Sequence, residues 1–175
     1  MKRILSLVLV VLMLLGVCGM SSADVSINTQ YTSTALFLQK LDEIGIKYTY
    51  VGVDSAGYEK ITVNNTDSDL NLSYTISYFF DGNNENASIR VWDLVTIGDD
   101  TMSLIGALYA CNNCSSSWKY VTFFVEDDNT ITAKMDLIYR GESVSEVVWE
   151  ATLHMVNVIE AAYPTYLADL QVAAN

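Results

Sequence analysis

The central part of the chain alternates between apolar and polar residues, a pattern that is typical of strands with one buried face. The clearest example is a segment in which Leu72, Tyr74, Ile76, Tyr78 and Phe80 alternate with Ser73, Thr75 and Ser77. Related patterns predict five further strands, over Ile46–Val53, Tyr58–Val63, Ala87–Ile97, Trp118–Glu126 and Thr130–Arg140. Polar clusters that contain Gly, Asp or Asn separate several of these segments and predict turns.

Helical spacing appears before the first strand and after the last one. The first helix begins at Thr32-Ser33-Thr34, whose hydroxyls can accept from the free amides of the first turn, and ends near Gly45. The last helix follows Ser143 and ends or kinks at Pro164, which cannot donate a backbone hydrogen bond. Its inner face is predicted to contain Val144, Val148, Ala151, Met155 and Val158.

A middle helix is predicted after Gly98-Asp99-Asp100, because acidic residues are favoured at the positive end of a helix. This helix is predicted to end near Cys111–Ser116. Four large apolar residues at helical spacing predict the face that packs on the core, and these are Met102, Ile105, Leu108 and Tyr109.

The resulting order is α-β-β-β-β-α-β-β-α, which indicates an α+β fold with an antiparallel sheet flanked by helices. The chain contains one Pro and no Pro- or Ser-rich linker, so residues 32–175 are predicted to form a single domain. Residues 24–31 are polar and aperiodic and are predicted to be a flexible lead.

The first residues have the three parts of a secretory signal peptide. Lys2 and Arg3 are followed by an apolar run up to Met20 and then by the small residues Ser21-Ser22-Ala23. We therefore predict that residues 1–23 are cleaved and that the mature chain is exported to the periplasm, the cell envelope or the exterior. Retention of this segment as a membrane anchor is one alternative, since its apolar run is at the short limit for spanning. Lipidation at Cys18 is another, which the branched Val17 before it disfavours.

Charge narrows the choice of partner. The chain has nine basic and 21 acidic residues, and cleavage would remove two basic residues and no acid, leaving a net charge of −14. Phosphate backbones and anionic membrane surfaces bind through clusters of Lys and Arg. Nucleic acid is therefore not an expected partner, and contact with a membrane is expected only through the export signal.

The segment from Trp118 to Glu146 carries an ordered set of features. An aromatic strand, an acidic turn, a second strand and the opening of a long helix follow one another as Trp118–Val125, Glu126–Asn129, Ile131–Leu137 and Val144-Ser145-Glu146. This arrangement resembles the YbjN family, and with the earlier elements the resemblance covers most of residues 32–165. It implies a compact α+β fold similar to that of type III secretion chaperones, a role among proposed sensory-transduction regulators, and no catalytic residues.

Two features depart from that family pattern. One is the export signal, and the other is the motif Cys111-Asn112-Asn113-Cys114. A local disulfide, two unreactive thiols, a redox dithiol and metal ligation are the alternatives for the cysteine pair. A reactive thiolate is favoured at a helix N-terminus or beside a cation, whereas this pair lies near a predicted helix C-terminus.

The remaining candidates for chemistry are few. His154 is the only histidine, and it lies off the apolar face of the last helix. The chain has no nucleophile elbow, phosphate-binding glycine loop or zinc-protease motif. A structural zinc site needs four ligands, which two cysteines and one histidine do not supply. We therefore predict no enzymatic activity, no cofactor and no metal.

Aromatic residues suggest an interaction surface. Seven tyrosines lie on or beside predicted strands, where they can either stabilise the sheet through cross-strand pairs or contact a partner. The 118–126 strand is apolar on both faces, which makes Trp118, Tyr120 and Phe124 candidates for such a surface. The leading hypothesis is an exported, non-catalytic binding module that dimerises or binds a protein, and the alternatives are a thiol redox protein and a small-ligand sensor.

Overall fold

The computed structural model describes residues 27–171. The predicted signal peptide, residues 1–23, lies outside the described residues, and so do residues 24–26 of the predicted lead. The described chain contains three α-helices and six strands. They are α1 (Thr32–Glu43), β1 (Thr49–Val53), β2 (Glu59–Asp67), β3 (Leu72–Phe80), β4 (Asn86–Thr96), α2 (Thr101–Ser117), β5 (Thr122–Val125), β6 (Thr130–Ile138) and α3 (Val144–Ala162).

All six strands form one antiparallel sheet in the order β1-β2-β3-β4-β6-β5. The first four strands meander, and β6 then inserts between β4 and β5. The predicted α+β class and the predicted order of elements are confirmed. Pro164 lies in a single π-helical turn, Tyr163–Leu167, that follows α3 directly.

One face of the sheet carries the hydrophobic core. The alternating residues of β3 that were predicted to point inward are buried, and Phe37 of α1 packs on two of them. Its ring centroid lies 4.8 Å from that of Tyr78 and 5.6 Å from that of Phe80. The inner faces of β6 and α3 complete the same core, through Ile131, Ala133, Met135, Val148, Met155 and Ile159.

The predicted inner face of the middle helix is wrong. Met102 and Tyr109 are 73 % and 70 % exposed, and Ile105 and Leu108 are exposed as well. The residues of α2 that pack inward are small, namely Ala107, Ala110, Cys111 and Cys114. Small side chains let α2 approach its neighbours closely, and this turns the larger apolar residues towards solvent.

Several strand boundaries differ from the prediction, and two of the differences have local reasons. The segment predicted as a polar loop after Val63 continues β2 as far as Asp67, because its polar side chains bond across to β3. Asn65 Nδ2 donates to the Tyr74 hydroxyl at 2.9 Å, and Thr75 Oγ1 donates to Asn64 Oδ1 at 2.9 Å. The predicted strand over Trp118–Glu126 is shorter, since Tyr120 has a φ of 73° and interrupts it.

No helix within residues 27–171 is both long and apolar enough to cross a membrane.

Candidate ligand-binding site on the open sheet face

The face of the sheet opposite α1 carries two rows of side chains that run across the strands. This face is set by β3, whose Tyr78 and Phe80 point into the core while Phe79 between them points to the other side. The strand register places Lys60, Phe79, Ser88 and Asp136 next to one another in the first row. The second row, one pleat further along, contains Ser77, Arg90, Lys134 and Thr122.

Arg90 is held between aromatic rings. Its Cζ lies 5.0 Å from the ring centroid of Trp92 and 5.5 Å from that of Phe79. Lys60 approaches the Phe79 ring as well, with Nζ 5.3 Å from the centroid. Cations over aromatic faces are attracted by the ring quadrupole, so the two rings fix both positive side chains on this face.

Lys134 is paired with a neighbouring carboxylate. Its Nζ lies 2.7 Å from Asp136 Oδ2. Burial by itself would raise the pKa of Asp136, but the hydrogen bonds from Lys134 and Ser88 and the charges of Lys134 and Arg90 together outweigh burial, and the pKa lies below its ordinary value. Asp136 is therefore ionised at neutral pH and balances one of the positive charges on this face.

Five residues of the two rows, Phe79, Ser88, Arg90, Lys134 and Asp136, form part of the wall of a groove of about 660 Å³, whereas Lys60 does not line it. Its walls come from β3, β4, β6 and the turn that joins β1 to β2, and they include Tyr58, Phe79, Arg90, Lys134, Asp136 and Ile138. A groove of this size, with apolar walls and a few charged groups, has the dimensions typical of small-ligand sites.

Two further carboxylates in the groove are engaged in local turns. Asp54 Oδ1 accepts from the amides of Ala56 and Tyr58, both at 2.9 Å. Asp81 Oδ2 accepts from Asn86 Nδ2 at 2.8 Å. These bonds fix the β1–β2 and β3–β4 turns, from which the two carboxylates line the groove. The two cations of the lining, Arg90 and Lys134, lie on strands instead.

The two rows contain several of the basic residues of this acidic protein, whereas the groove itself is lined by two cations, Arg90 and Lys134, and by three carboxylates, Asp54, Asp81 and Asp136. Seven basic residues lie within residues 27–171, and three of them, Lys60, Arg90 and Lys134, lie in the two rows. Arg90 and Lys134 are direct cross-strand partners. Like charges in that position destabilise a sheet. Asp136 counters this repulsion, because its carboxylate pairs with Lys134 and also interacts with the charge of Arg90.

The three predicted interaction residues contact different neighbours. Trp118 is half-buried, and its ring centroid lies 5.9 Å from that of Tyr166. Tyr120 is exposed, with its ring 6.4 Å from that of His154. Phe124 lies on β5 opposite Thr132 of β6. Their role as an interaction surface stays a prediction.

Cys111 and Cys114 both lie on α2 and are buried as free thiols. Burial raises the pKa of Cys111 to about 12 and that of Cys114 to about 11. Thiolates are the reactive form of cysteine, so this environment disfavours nucleophilic chemistry at neutral pH. The predicted disulfide between them stays a prediction.

His154 is exposed on α3, as its place off the apolar face predicts, and its Nε2 donates to the Lys119 carbonyl at 3.0 Å. Within residues 27–171, no group of three or more His, Cys, Asp or Glu side chains is arranged to hold a metal ion. Of the tyrosines that the pattern placed on strands, Tyr74, Tyr78 and Tyr139 are buried and contribute to the core.

The two rows were not identified from the sequence. Lys60, Arg90 and Lys134 each occupy an outward position in a predicted strand, so their polarity fits an ordinary solvated face. The available signal was Phe79 and Trp92, two large aromatic residues at outward positions of neighbouring strands. Aromatic residues at outward positions next to cations allow the cation–π contacts that Arg90 and Lys60 make here.

Comparisons with known proteins give one structural likeness. No protein-family model matches the chain, and no curated protein matches it. The crystal structure of YbjN from E. coli, a protein proposed to regulate transcription, matches at 13 % sequence identity with a TM-score of 0.49. The match covers 77 % of this chain and 93 % of that chain. No function or site residue is transferred from it.

Proposed function

We propose that this protein is an exported, non-catalytic binding module that holds a ligand in the groove on the open face of its sheet. The observation that carries the proposal is the position of Arg90, fixed between two rings in a groove large enough for a small ligand. Within residues 27–171 its guanidinium forms no ion pair, and its one hydrogen bond is a long contact of 3.5 Å from Nε to Ser88. Most of its donors are therefore free for a ligand.

The export part of the proposal rests on the sequence of residues 1–23, and the small-ligand part on the groove. A thiol redox role is less well supported, because burial of Cys111 and Cys114 disfavours their ionised forms. A sensor that held its ligand between the sheet and α3 is also less well supported. It would need space in the core, and Met155 and Ile159 of α3 are fully buried there.

A fragment screen by two-dimensional amide NMR tests the groove. We expect the fragments that bind to shift the amides of Phe79, Ser88 and Arg90 most strongly. Arg90→Ala should weaken their binding about tenfold, which corresponds to the loss of a charged contact of roughly 1.4 kcal/mol.

The matched control is Arg140→Ala, because Arg140 is exposed and lies outside the groove. We expect this variant to bind like the unmodified protein. Fragment shifts that cluster elsewhere, or equal weakening by both variants, would contradict a site in the groove.

Self-association is a second candidate, favoured by the exposed face of α2. Met102, Ile105, Leu108 and Tyr109 form an apolar stripe on a helix of 17 residues that contains no charged side chain. The chain as a whole has a net charge of −12, so two copies repel each other through most of their surfaces. Contact between two α2 helices would cover the stripe and avoid direct contact between like charges.

Light scattering at increasing protein concentration tests this second candidate. We expect a dimer, and we expect Leu108→Glu to shift it to monomer with at least a tenfold rise in dissociation constant, because a buried carboxylate without a partner is costly. Val51→Glu is the control, since Val51 is exposed on β1 and the substitution adds the same charge. A monomer at all concentrations would rule out self-association.

A further inference from the structure

Two turns that line the groove are joined by a residue outside its lining, which matters for binding on the condition that the proposed function is correct. Tyr58 of the β1–β2 turn and Asp81 of the β3–β4 turn both line the groove. The pairing of β2 with β3 ends at Glu59 and Phe80, so strand pairing does not hold the turns together beyond that point. Their relative position therefore depends on other contacts.

Tyr31, just before α1, contacts both turns. Its hydroxyl donates to the Gly57 carbonyl in the β1–β2 turn at 2.7 Å. Its ring packs closely on Gly82 in the β3–β4 turn, where an added Cβ would lie 3.3 Å from Tyr31 Cε1. A side chain at Gly82 would push the ring away, because this distance is shorter than the optimal separation of two carbon atoms. One side chain thus bridges the two turns.

The backbone on each side of Tyr31 is anchored as well. The amides of Gln30 and Tyr31 donate to the two carboxylate oxygens of the buried Glu59, at 2.7 and 3.1 Å. Ser33 donates to Asn84 Oδ1 in the β3–β4 turn, from its amide at 3.1 Å and from its hydroxyl at 3.0 Å. These bonds fix the backbone from which the Tyr31 side chain extends, so its contacts with the turns need little further ordering.

We infer that Tyr31 is a positioning residue for the groove, and that residues 30–33 form a clasp that holds its two turns at a fixed separation. A ligand that contacts both turns binds only those molecules in which the separation fits. Its apparent affinity falls in proportion to their fraction, and the clasp keeps that fraction high. Ligand affinity therefore depends on Tyr31, although Tyr31 does not line the groove.

Amide hydrogen exchange without ligand is the first measurement. Tyr31→Phe keeps the ring but removes the bond to the β1–β2 turn. We expect the amides of Gly57 and Asn84, which are bonded within the two turns, to exchange about fivefold faster in this variant. Tyr48→Phe is the matched control, because the Tyr48 hydroxyl also donates an exposed bond, to Asp42 Oδ2 at 3.2 Å, and Tyr48 contributes nothing to the groove lining.

Binding is the second measurement, with the fragment that binds most tightly in the amide NMR screen as the probe. We expect Tyr31→Phe to weaken its affinity about threefold to tenfold and Tyr48→Phe to leave it unchanged. Gly82→Ala should also weaken the fragment, because the new methyl group meets the Tyr31 ring. The same substitution should have no effect in a Tyr31→Ala background, where the ring is absent, whereas independent effects would add.

Other results separate the clasp from the proposed function. If exchange changes at Gly57 but not at Asn84, or if the fragment binds Tyr31→Phe as tightly as the unmodified protein, the inference about Tyr31 is overturned while the groove remains a binding site. If no fragment binds in the groove, the proposed function and the positioning role of Tyr31 are both overturned, and the exchange rates show separately whether the turns are coupled.

Discussion

Phe37→Ala is expected to lower the free energy of unfolding by about 4 kcal/mol, in line with other substitutions of buried aromatic residues. Phe37 is fully buried on α1 and packs against both Tyr78 and Phe80 of β3. Removing its ring leaves a cavity between the first helix and the sheet, which the rigid neighbours cannot close. Domains of this size are stable by roughly 5–15 kcal/mol, so the loss is a large fraction of the total.

Urea denaturation of matched Phe→Ala variants measures this effect. Phe79→Ala removes the same atoms from the open face of the same sheet, where the ring is only half-buried. We expect it to cost about 1 kcal/mol, because the site is open to water and leaves no closed cavity. An equal loss in the two variants would mean that α1 does not pack on the sheet as described.

Much of the sheet could be predicted because its two faces have different surroundings. In β3 the prediction and the structure share the bounds Leu72–Phe80, and the same alternation identifies the inner face of β6. Period-two alternation is informative when one face is buried and the other is wet. The prediction was weaker for β5, where residues on both faces are apolar and a left-handed residue at Tyr120 shortens the strand.

The orientation of α2 could not be predicted in the same way. Apolar residues occur all round this helix, so its spacing does not distinguish an inner face from an outer one. Apolar area alone favours burial of the larger residues, since they have more surface to remove from water. Close approach to β5 favours Ala107, Ala110 and the two cysteines there instead, which is a property of the neighbouring elements and not of the helix.

The groove depends on strand order as well as on strand pattern. Lys60, Arg90 and Lys134 belong to three strands that are far apart in sequence, and they share one face because β6 inserts beside β4. If β5 and not β6 were the neighbour of β4, Arg90 and Lys134 would not be cross-strand partners. Alternation along single strands fixes which face a residue takes, but it does not fix which strands are neighbours.

The burial of Glu59 is another feature that the alternation of apolar and polar residues does not predict. Glu59 begins β2 and is fully buried, although carboxylates are seldom buried without partners. Its Oε1 accepts from the Gln30 amide at 2.7 Å, its Oε2 accepts from the Tyr31 amide at 3.1 Å, and the Tyr50 hydroxyl donates to it as well. Glu59 thereby ties the chain before α1 to the edge of the sheet.

Glu59→Gln is expected to lower the free energy of unfolding at neutral pH by about 3 kcal/mol, because a buried group loses charged hydrogen bonds. The new amide nitrogen is a donor that faces donors from Gln30, Tyr31 and Tyr50, so at least one bond is lost. Thermal or urea unfolding at pH 7 measures the loss. The chain before α1 should also exchange its amide protons faster in this variant, since the amide of Gln30 or of Tyr31 loses its acceptor and the other donates to an uncharged oxygen.

The stability difference between the Glu59 protein and Glu59→Gln should change with pH in a definite direction. Burial by itself would raise the pKa of Glu59, but the surrounding hydrogen bonds outweigh burial and hold the pKa below the ordinary value of 4.5. A carboxyl with a lowered pKa in the folded state stabilises the fold fully above its unfolded pKa, and this contribution is lost as pH falls through the folded pKa. The difference between the Glu59 protein and Glu59→Gln should therefore be largest above about pH 5 and shrink towards low pH.

Glu160→Gln is the matched control, because the environment of Glu160 raises the pKa of its carboxyl whereas the environment of Glu59 lowers it. Burial, with a smaller contribution from Asp67, raises the pKa of Glu160 above its ordinary value. The folded state disfavours the charged form, so a neutral amide should leave stability at pH 7 unchanged or slightly higher. If both variants showed the same loss and the same pH dependence, the effect would belong to overall charge and not to the hydrogen bonds that Glu59 accepts.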